Sequence, residues 1–233
     1  MTEKLEQQHH IRSFVKRKGR KLSAAKQDLF TEILPQFELR ADQEQQNLKQ
    51  ILASTKKLNL EIGFGAGEHL ALQASHNPQE IFIGCEPFMQ GVAKLLARIK
   101  SEKLDNIFIY QGDALEILSL LPDNALSKIF ILFPDPWPKT KHHKRRIIKQ
   151  ENIKVFTQKL KQEGLLRLAT DHQEYASWMI ALLHDYKDLI WQADQVKAWY
   201  QQPADWVETK YQKKALAGDT YFFYNFKKIM TNS

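Results

Sequence analysis

Residues 57–70 read KLNLEIGFGAGEHL. A short apolar run, Leu58 to Ile62, passes directly into Gly63, Gly65 and Gly67, and a helical pattern resumes immediately after them. Glycines at this spacing let the chain turn sharply and let its backbone approach a ligand closely at the carboxyl edge of a sheet. The spacing also discriminates between ligands. A dinucleotide-binding turn carries G-x-G-x-x-G, with a pyrophosphate over the helix N-terminus. Here Glu68 stands where the third glycine belongs, and a carboxylate at that point repels a pyrophosphate. A cofactor without phosphate is favoured over a nicotinamide dinucleotide, and with it an activity other than hydride transfer.

Outward from this turn the same rhythm repeats. Apolar runs recur at IFIGC (81–85), NIFIY (106–110), SKIFILF (127–133), GLLRLAT (164–170) and TYFFYNF (220–226). Between most of them lie helical patterns such as FMQGVAKLLARIK (88–100), with apolar residues three and four apart. Strands alternating with helices imply βαβ units, and unbroken apolar strands imply a mostly parallel sheet with helices on both faces. No helical pattern follows TYFFYNF, so it is expected to close the sheet as an antiparallel last strand. Upstream, Ser23 is a candidate N-cap for a helix carrying Leu29, Phe30 and Ile33 that stops near Pro35. A second, polar helix is expected over ADQEQQNLKQIL (41–52). The organisation predicted is a basic arm over 1–22 and one α/β domain over 23–233 with an N-terminal helical extension.

Acids stand at the ends of the predicted strands. Glu86 follows IFIGC and is placed to accept both hydroxyls of a ribose. Asp113, after IFIYQG, is placed to meet an adenine edge, although a residue followed by ALEIL also reads as a helix N-cap. Glu61 lies within a strand among apolar neighbours. It needs a partner there, and the ammonium of a methionine moiety would serve.

After the fourth strand comes FPDPWPKTKHHKRR (133–146). Pro134, Pro136 and Pro138 stiffen a loop around Asp135 and Trp137 at the edge where α/β enzymes place their chemistry. Five cations follow at once, able to hold phosphates while the loop holds a base. His142 and His143 show no metal-ligand spacing and read as phosphate-facing or solvated.

The net charge of +7 is localised. Residues 12–26 hold seven Lys/Arg and residues 139–146 hold five, both without an acid, and the remainder carries 22 basic against 27 acidic groups. Two cationic segments on a slightly acidic body suit a polyanionic partner. Cys85 is the single cysteine, so there is no internal disulfide and no cysteine cluster for a metal. The sequence carries neither a run of about 20 apolar residues nor a secretory leader at its start, so a cytoplasmic protein without membrane attachment is expected. Monomer and homodimer stay open.

Taken together, LEIGFGAGEH, the acid after the second strand, QGDA, FPDPWPKTKHHKRR, LATDHQEYA and TKYQKKA resemble, in that order, the bacterial tRNA (guanine-N7)-methyltransferase family, and IRSFVKRKGR (11–20) extends the resemblance over nearly the whole chain. FPDPWPK followed by H-x-KRR is its most specific part. The resemblance implies a Rossmann-like class I methyltransferase fold with a seven-stranded sheet. It also implies that S-adenosyl-L-methionine is the cofactor and that the target is the variable-loop guanosine of tRNA, position 46. By that likeness Glu61, Gly63, Gly65, Gly67, Glu86, Asp113 and Asp135 hold the cofactor, and Asp135 is also catalytic. Lys139, Asp171, Thr209, Lys210, Tyr211 and Gln212 would hold the guanosine. Lys141, Lys144, Arg145 and Arg146 would hold the RNA backbone. Two positions depart from the family pattern. Gln212 stands in place of glutamate, and Lys141 in place of arginine, which keeps charge but not bidentate phosphate binding. A non-catalytic tRNA-binding protein on the same fold, and methylation of another substrate, are the alternative readings.

Overall fold

The computed structural model describes residues 22–42, 45–184, 186–193, 195–206 and 220–229. Residues 1–21 of the expected arm, and the segment Thr209, Lys210, Tyr211 and Gln212, lie outside the described residues.

The helical extension contains α1 (Ala24–Glu32), α2 (Leu34–Phe37), a short strand β1 (Glu38–Leu39) and α3 (Gln46–Ala53). Ser23 is the N-cap of α1 by backbone position, though its side chain makes no capping bond. Pro35 does not simply stop this helix, because it sits in the first turn of α2, where a missing N–H costs nothing. The polar helix begins at Gln46, five residues later than its pattern suggests.

The α/β body follows as β2 (Leu58–Ile62), α4 (Glu68–His76), β3 (Ile81–Cys85), α5 (Met89–Glu102), β4 (Ile107–Tyr110), α6 (Ala114–Leu120) and β5 (Leu126–Leu132). It ends with α7 (Gln150–Lys159), β6 (Leu160–Thr170), α8 (Gln173–His184), β7 (Leu189–Trp191) and β8 (Phe222–Lys228). The strands form one sheet in the order β1-β4-β3-β2-β5-β6-β8-β7. β8 runs antiparallel to both neighbours, while the pairs from β1 to β6 are parallel. The sheet therefore has the expected parallel body and antiparallel last strand. An eighth strand, β1, is added on the β4 edge by the extension.

Alternation along the strands feeds two cores. Leu60, Ile83, Ile129 and Ile131 face α3, α6, α7 and α8, whereas Phe82, Phe130 and Leu132 face α2, α4 and α5. Both faces are covered, which is why the strands read as unbroken apolar runs. The order of connection reverses between β2 and β5, and a crevice opens there at the carboxyl ends, the usual ligand position in open α/β sheets.

Candidate active site

A cleft of about 380 Å³ occupies that crevice, within the ~300–1,000 Å³ typical of small-molecule sites. Its lining includes Glu61, Gly63, Gly65, Glu86, Asp113, Asp135, Trp137 and Arg145. The ends of β2, β3, β4 and β5 thus deliver one acidic group each.

Gly63, Gly65 and Gly67 all adopt positive φ, at 73°, 56° and 75°, a region that costs side-chain-bearing residues 1–2 kcal/mol or so. Gly67 is the N-cap of α4 in the left-handed conformation. Glu86 locks this loop to β3. Its Oε2 accepts the Gly65 N–H at 2.9 Å, and its Oε1 accepts the Phe88 N–H at 3.0 Å. Each carboxylate oxygen keeps a second acceptor site for a ligand. Burial pushes the Glu86 carboxyl above its ordinary 4.5, the Phe88 and Gly65 N–H groups oppose this, and the charge of Asp135 adds to the rise. Glu86 and Asp135 both line the cleft.

Asp113 holds both roles open to it. It is the N-cap of α6, accepting the Leu115 N–H at 3.0 Å, and it also lines the cleft. Glu61 has a protein partner that sequence reading missed. Its Oε2 lies 2.7 Å from Nδ1 of His69, and both side chains are buried.

The proline-rich loop is strained at both ends. Phe133 and Trp137 take positive φ, at 52° and 44°, an uncommon conformation for aromatic residues that clusters at functional sites. The loop is held from below by Arg146, which donates to the Pro136 carbonyl at 2.9 Å. Asp135 itself is exposed at the rim. Beyond the loop, Thr140–Arg145 form a 3₁₀ turn that places Lys139, Lys141 and Lys144 in solvent. The Arg145 guanidinium lies 4.9 Å over the Trp137 ring. Partial burial and then the cations Arg145, Lys141, Lys139 and Lys144 hold the His142 imidazole below its ordinary 6.5. His142 packs edge-on to Trp137 and His143 against Trp178, so neither histidine is simply solvated.

Arg146 departs from the expectation for it. Its side chain is fully buried, forks onto Glu174 and stacks on Tyr175 and Trp178. A guanidinium committed in this way is not available to an RNA phosphate. It supports the loop instead. Asp171 is half-buried just past the end of β6 and is not among the residues that line the cleft. The segment before TKYQKKA (209–215) is anchored to the body of the domain. Arg167 donates to both oxygens of Asp205 at 2.8 and 3.0 Å, and Gln73 donates to the Asp205 carbonyl. Trp206 and Tyr221, on either side of residues 207–219, both pack edge-on to Phe133.

A lining that combines several carboxylates with apolar Phe64, Ile131 and Leu132 suits a hydroxyl-bearing ligand with a positive charge. They do not suit a polyphosphate. Comparison with known proteins agrees. A family profile described as "Putative methyltransferase" matches residues 55–223. The tRNA (guanine-N(7)-)-methyltransferase of Zymomonas mobilis subsp. mobilis is 37% identical over 219 residues, covering 94% of this chain and 94% of that protein. The enzyme of the same name from Rhodospirillum rubrum is 38% identical over 210 residues, covering 88% and 82%. Among solved structures, an antibiotic-related methyltransferase superposes with a TM-score of 0.54 at 17% identity, covering 85% of this chain and 99% of that one, which bears on the fold alone. By identity over nearly its full length, the chain belongs to the tRNA (guanine-N(7)-)-methyltransferase family.

Proposed function

We propose that the chain transfers a methyl group from S-adenosyl-L-methionine to N7 of a guanine in tRNA, the variable-loop guanosine at position 46, giving 7-methylguanosine. The observation that carries this reading is the Glu86-locked glycine loop facing Asp135, with a cationic 3₁₀ turn directly beyond it. Residues 1–22 act as a basic arm and residues 23–233 as one catalytic domain, working in the cytoplasm.

When bound, S-adenosyl-L-methionine supplies an electrophilic methyl group on a sulfonium. Glu61 would hold the ammonium of its amino-acid end, Glu86 the ribose hydroxyls and Asp113 the adenine edge, with Gly63, Gly65 and Gly67 giving backbone access. Guanine N7 already presents a lone pair, so no side chain has to remove a proton. Catalysis is then alignment and electrostatics. Asp135 stabilises the purine as it becomes cationic. Lys139 and Asp171 hold the guanosine, together with Thr209, Lys210, Tyr211 and Gln212. Lys141, Lys144 and Arg145 hold phosphates, as a cationic stripe beside a catalytic loop can.

The test is incubation with labelled S-adenosyl-L-methionine and unmodified tRNA, followed by chemical cleavage at 7-methylguanosine. Label at that guanosine is the expected result. Tight tRNA binding with no label would favour a non-catalytic binding protein.

A further inference from the structure

Glu61 and His69 form a buried pair at the end of the cleft that takes the amino-acid part of the cofactor under the proposed reading. A buried carboxylate is costly unless it is hydrogen-bonded and met by positive charge. The pair provides the first of these conditions. His69 Nδ1 lies 2.7 Å from Glu61 Oε2. A carboxylate that meets an ammonium is ionised and only accepts, so under the proposed reading Nδ1 is the donor of this bond.

The imidazole has little freedom to do anything else. His69 is on the first turn of α4, immediately after the glycine loop, and is 2% exposed. The Phe130 ring meets it at 4.9 Å and the Trp206 ring at 5.7 Å. Phe130 is the strand neighbour of Glu61 across β2 and β5, so it packs on the same face of the sheet. The His69 Nε2 has no hydrogen-bond partner among the described residues. Among the described residues the ring makes one hydrogen bond, and that bond ends on Glu61. Both residues line the cleft.

We infer that His69 is a positioning residue that aims the Glu61 carboxylate at the ammonium of the cofactor's amino-acid end. The inference rests on the reading of the cleft as an S-adenosyl-L-methionine site and adds a residue to it. His69 does not touch the reacting atoms. It fixes the direction of a charged acceptor, and a carboxylate left to rotate in that pocket gains entropy on release and loses it again on binding.

Two ligands separate this role from a general structural one. S-adenosylhomocysteine carries the amino-acid end, whereas 5′-methylthioadenosine has the same nucleoside without it. Titration calorimetry on the full chain should show that His69→Ala weakens S-adenosylhomocysteine by about tenfold or more, the scale of a lost hydrogen bond to a charged group. 5′-Methylthioadenosine should stay within about twofold, the range of a surface-level perturbation. His69→Asn keeps an N–H donor close to the Nδ1 position and should restore most of the loss. Adding His69→Ala to Glu61→Gln should cost little more than Glu61→Gln alone, as expected for groups acting as a unit. Equal losses for both ligands, in the alanine and asparagine variants alike, would assign His69 to loop structure and overturn the inference. Unchanged S-adenosylhomocysteine affinity in His69→Ala would overturn it as well. If the alanine variant does not fold, the asparagine variant and the Glu61→Gln comparison decide by the same ligand split. A wild-type chain that binds neither ligand would overturn the cofactor assignment itself, and this inference with it.

Discussion

Arg146 reaches from the end of the basic 3₁₀ turn to Glu174 on α8 and closes a two-pronged ion pair beneath the proline-rich loop. The arginine end is fully buried and the glutamate end is half exposed. The same guanidinium donates to Pro136 and lies 4.8 and 4.7 Å from the Tyr175 and Trp178 rings. One side chain therefore ties the neighbour of Asp135 to α8.

Arg146→Ala is accordingly expected to lower stability by about 1–3 kcal/mol, since it leaves the Pro136 carbonyl and the Glu174 carboxylate without their donor. Turnover should fall with it as the loop loosens. The salt dependence of tRNA affinity should not change, because no phosphate contact is removed. Lys141→Ala with Lys144→Ala should do the reverse, lowering the slope of log affinity against log salt by roughly 0.7–0.9 per lost contact at wild-type stability. Urea unfolding and tRNA binding across a salt series measure both. A flattened salt slope in Arg146→Ala would return this residue to the RNA-binding set.

Acid should release the same support. The hydrogen bond from Arg146 is the first cause that holds the Glu174 carboxyl below its ordinary 4.5. A depressed folded value means that the pair's contribution is present in full above the unfolded value and is lost as pH falls through the folded one. Stability should therefore decline below pH 4.5, and Glu174→Gln should be less stable at neutral pH yet lose less on acidification. Thermal unfolding at pH 7 and on the acid side checks this. Parallel curves for the two proteins would remove Glu174 as the group responsible.

Gly91 presents a conflict between propensity and packing. Alanine improves a helix interior over glycine by about 1 kcal/mol. A Cβ at position 91, however, would lie 2.3 Å from the Gly65 carbonyl oxygen and 2.9 Å from Glu86 Cγ. The first of these is backbone of the glycine loop and cannot swing aside. Overpacking of this kind costs about 1–3 kcal/mol, so packing wins. Gly91→Ala should melt lower and bind S-adenosylhomocysteine more weakly, as read by thermal unfolding and calorimetry. Unaltered binding would show that α5 can retreat without moving Gly65.

Much of this arrangement is legible along the chain because it is local. Leu58 to Ile62 reads as a strand because both its faces are covered. Gly63 to Gly67 reads as a turn because its three glycines supply the positive φ it needs. Glu86, Asp113 and Asp135 are found because strand ends converge on one edge. What stays hidden depends on distant partners or on short elements. β7 has three residues and β1 two, too few to show a period. His69 is eight residues from Glu61, on the far side of a turn whose geometry brings them together. Arg146 stands in a run of five cations that reads as a phosphate-binding segment. Its burial comes from Glu174, Tyr175 and Trp178, about thirty positions away. The Arg167–Asp205 anchor spans 38 positions and carries no local signature.

Under the proposed function, Asp135→Asn bears directly on the chemistry. The side chain sits at the tip of a loop strained at Phe133 and Trp137 and fixed through Arg146, so an isosteric change should leave the loop in place. Loss of its charge should slow single-turnover methylation at saturating tRNA by about 10²-fold or more, the scale of one electrostatic contact to a transition state. The same variant contains an internal control. The charge of Asp135 is one of the influences that raise the Glu86 carboxyl, so its removal should lower that value. If Glu86 holds the ribose as proposed, S-adenosylhomocysteine binding should then persist to slightly lower pH in Asp135→Asn than in the wild type. Slow methylation with this shift would place the charge at the cleft and its main effect on the chemical step. Near-normal methylation with the shift intact would leave Asp135 as a neighbour of the cofactor only, and would transfer the catalytic role to Asp171 at the end of β6.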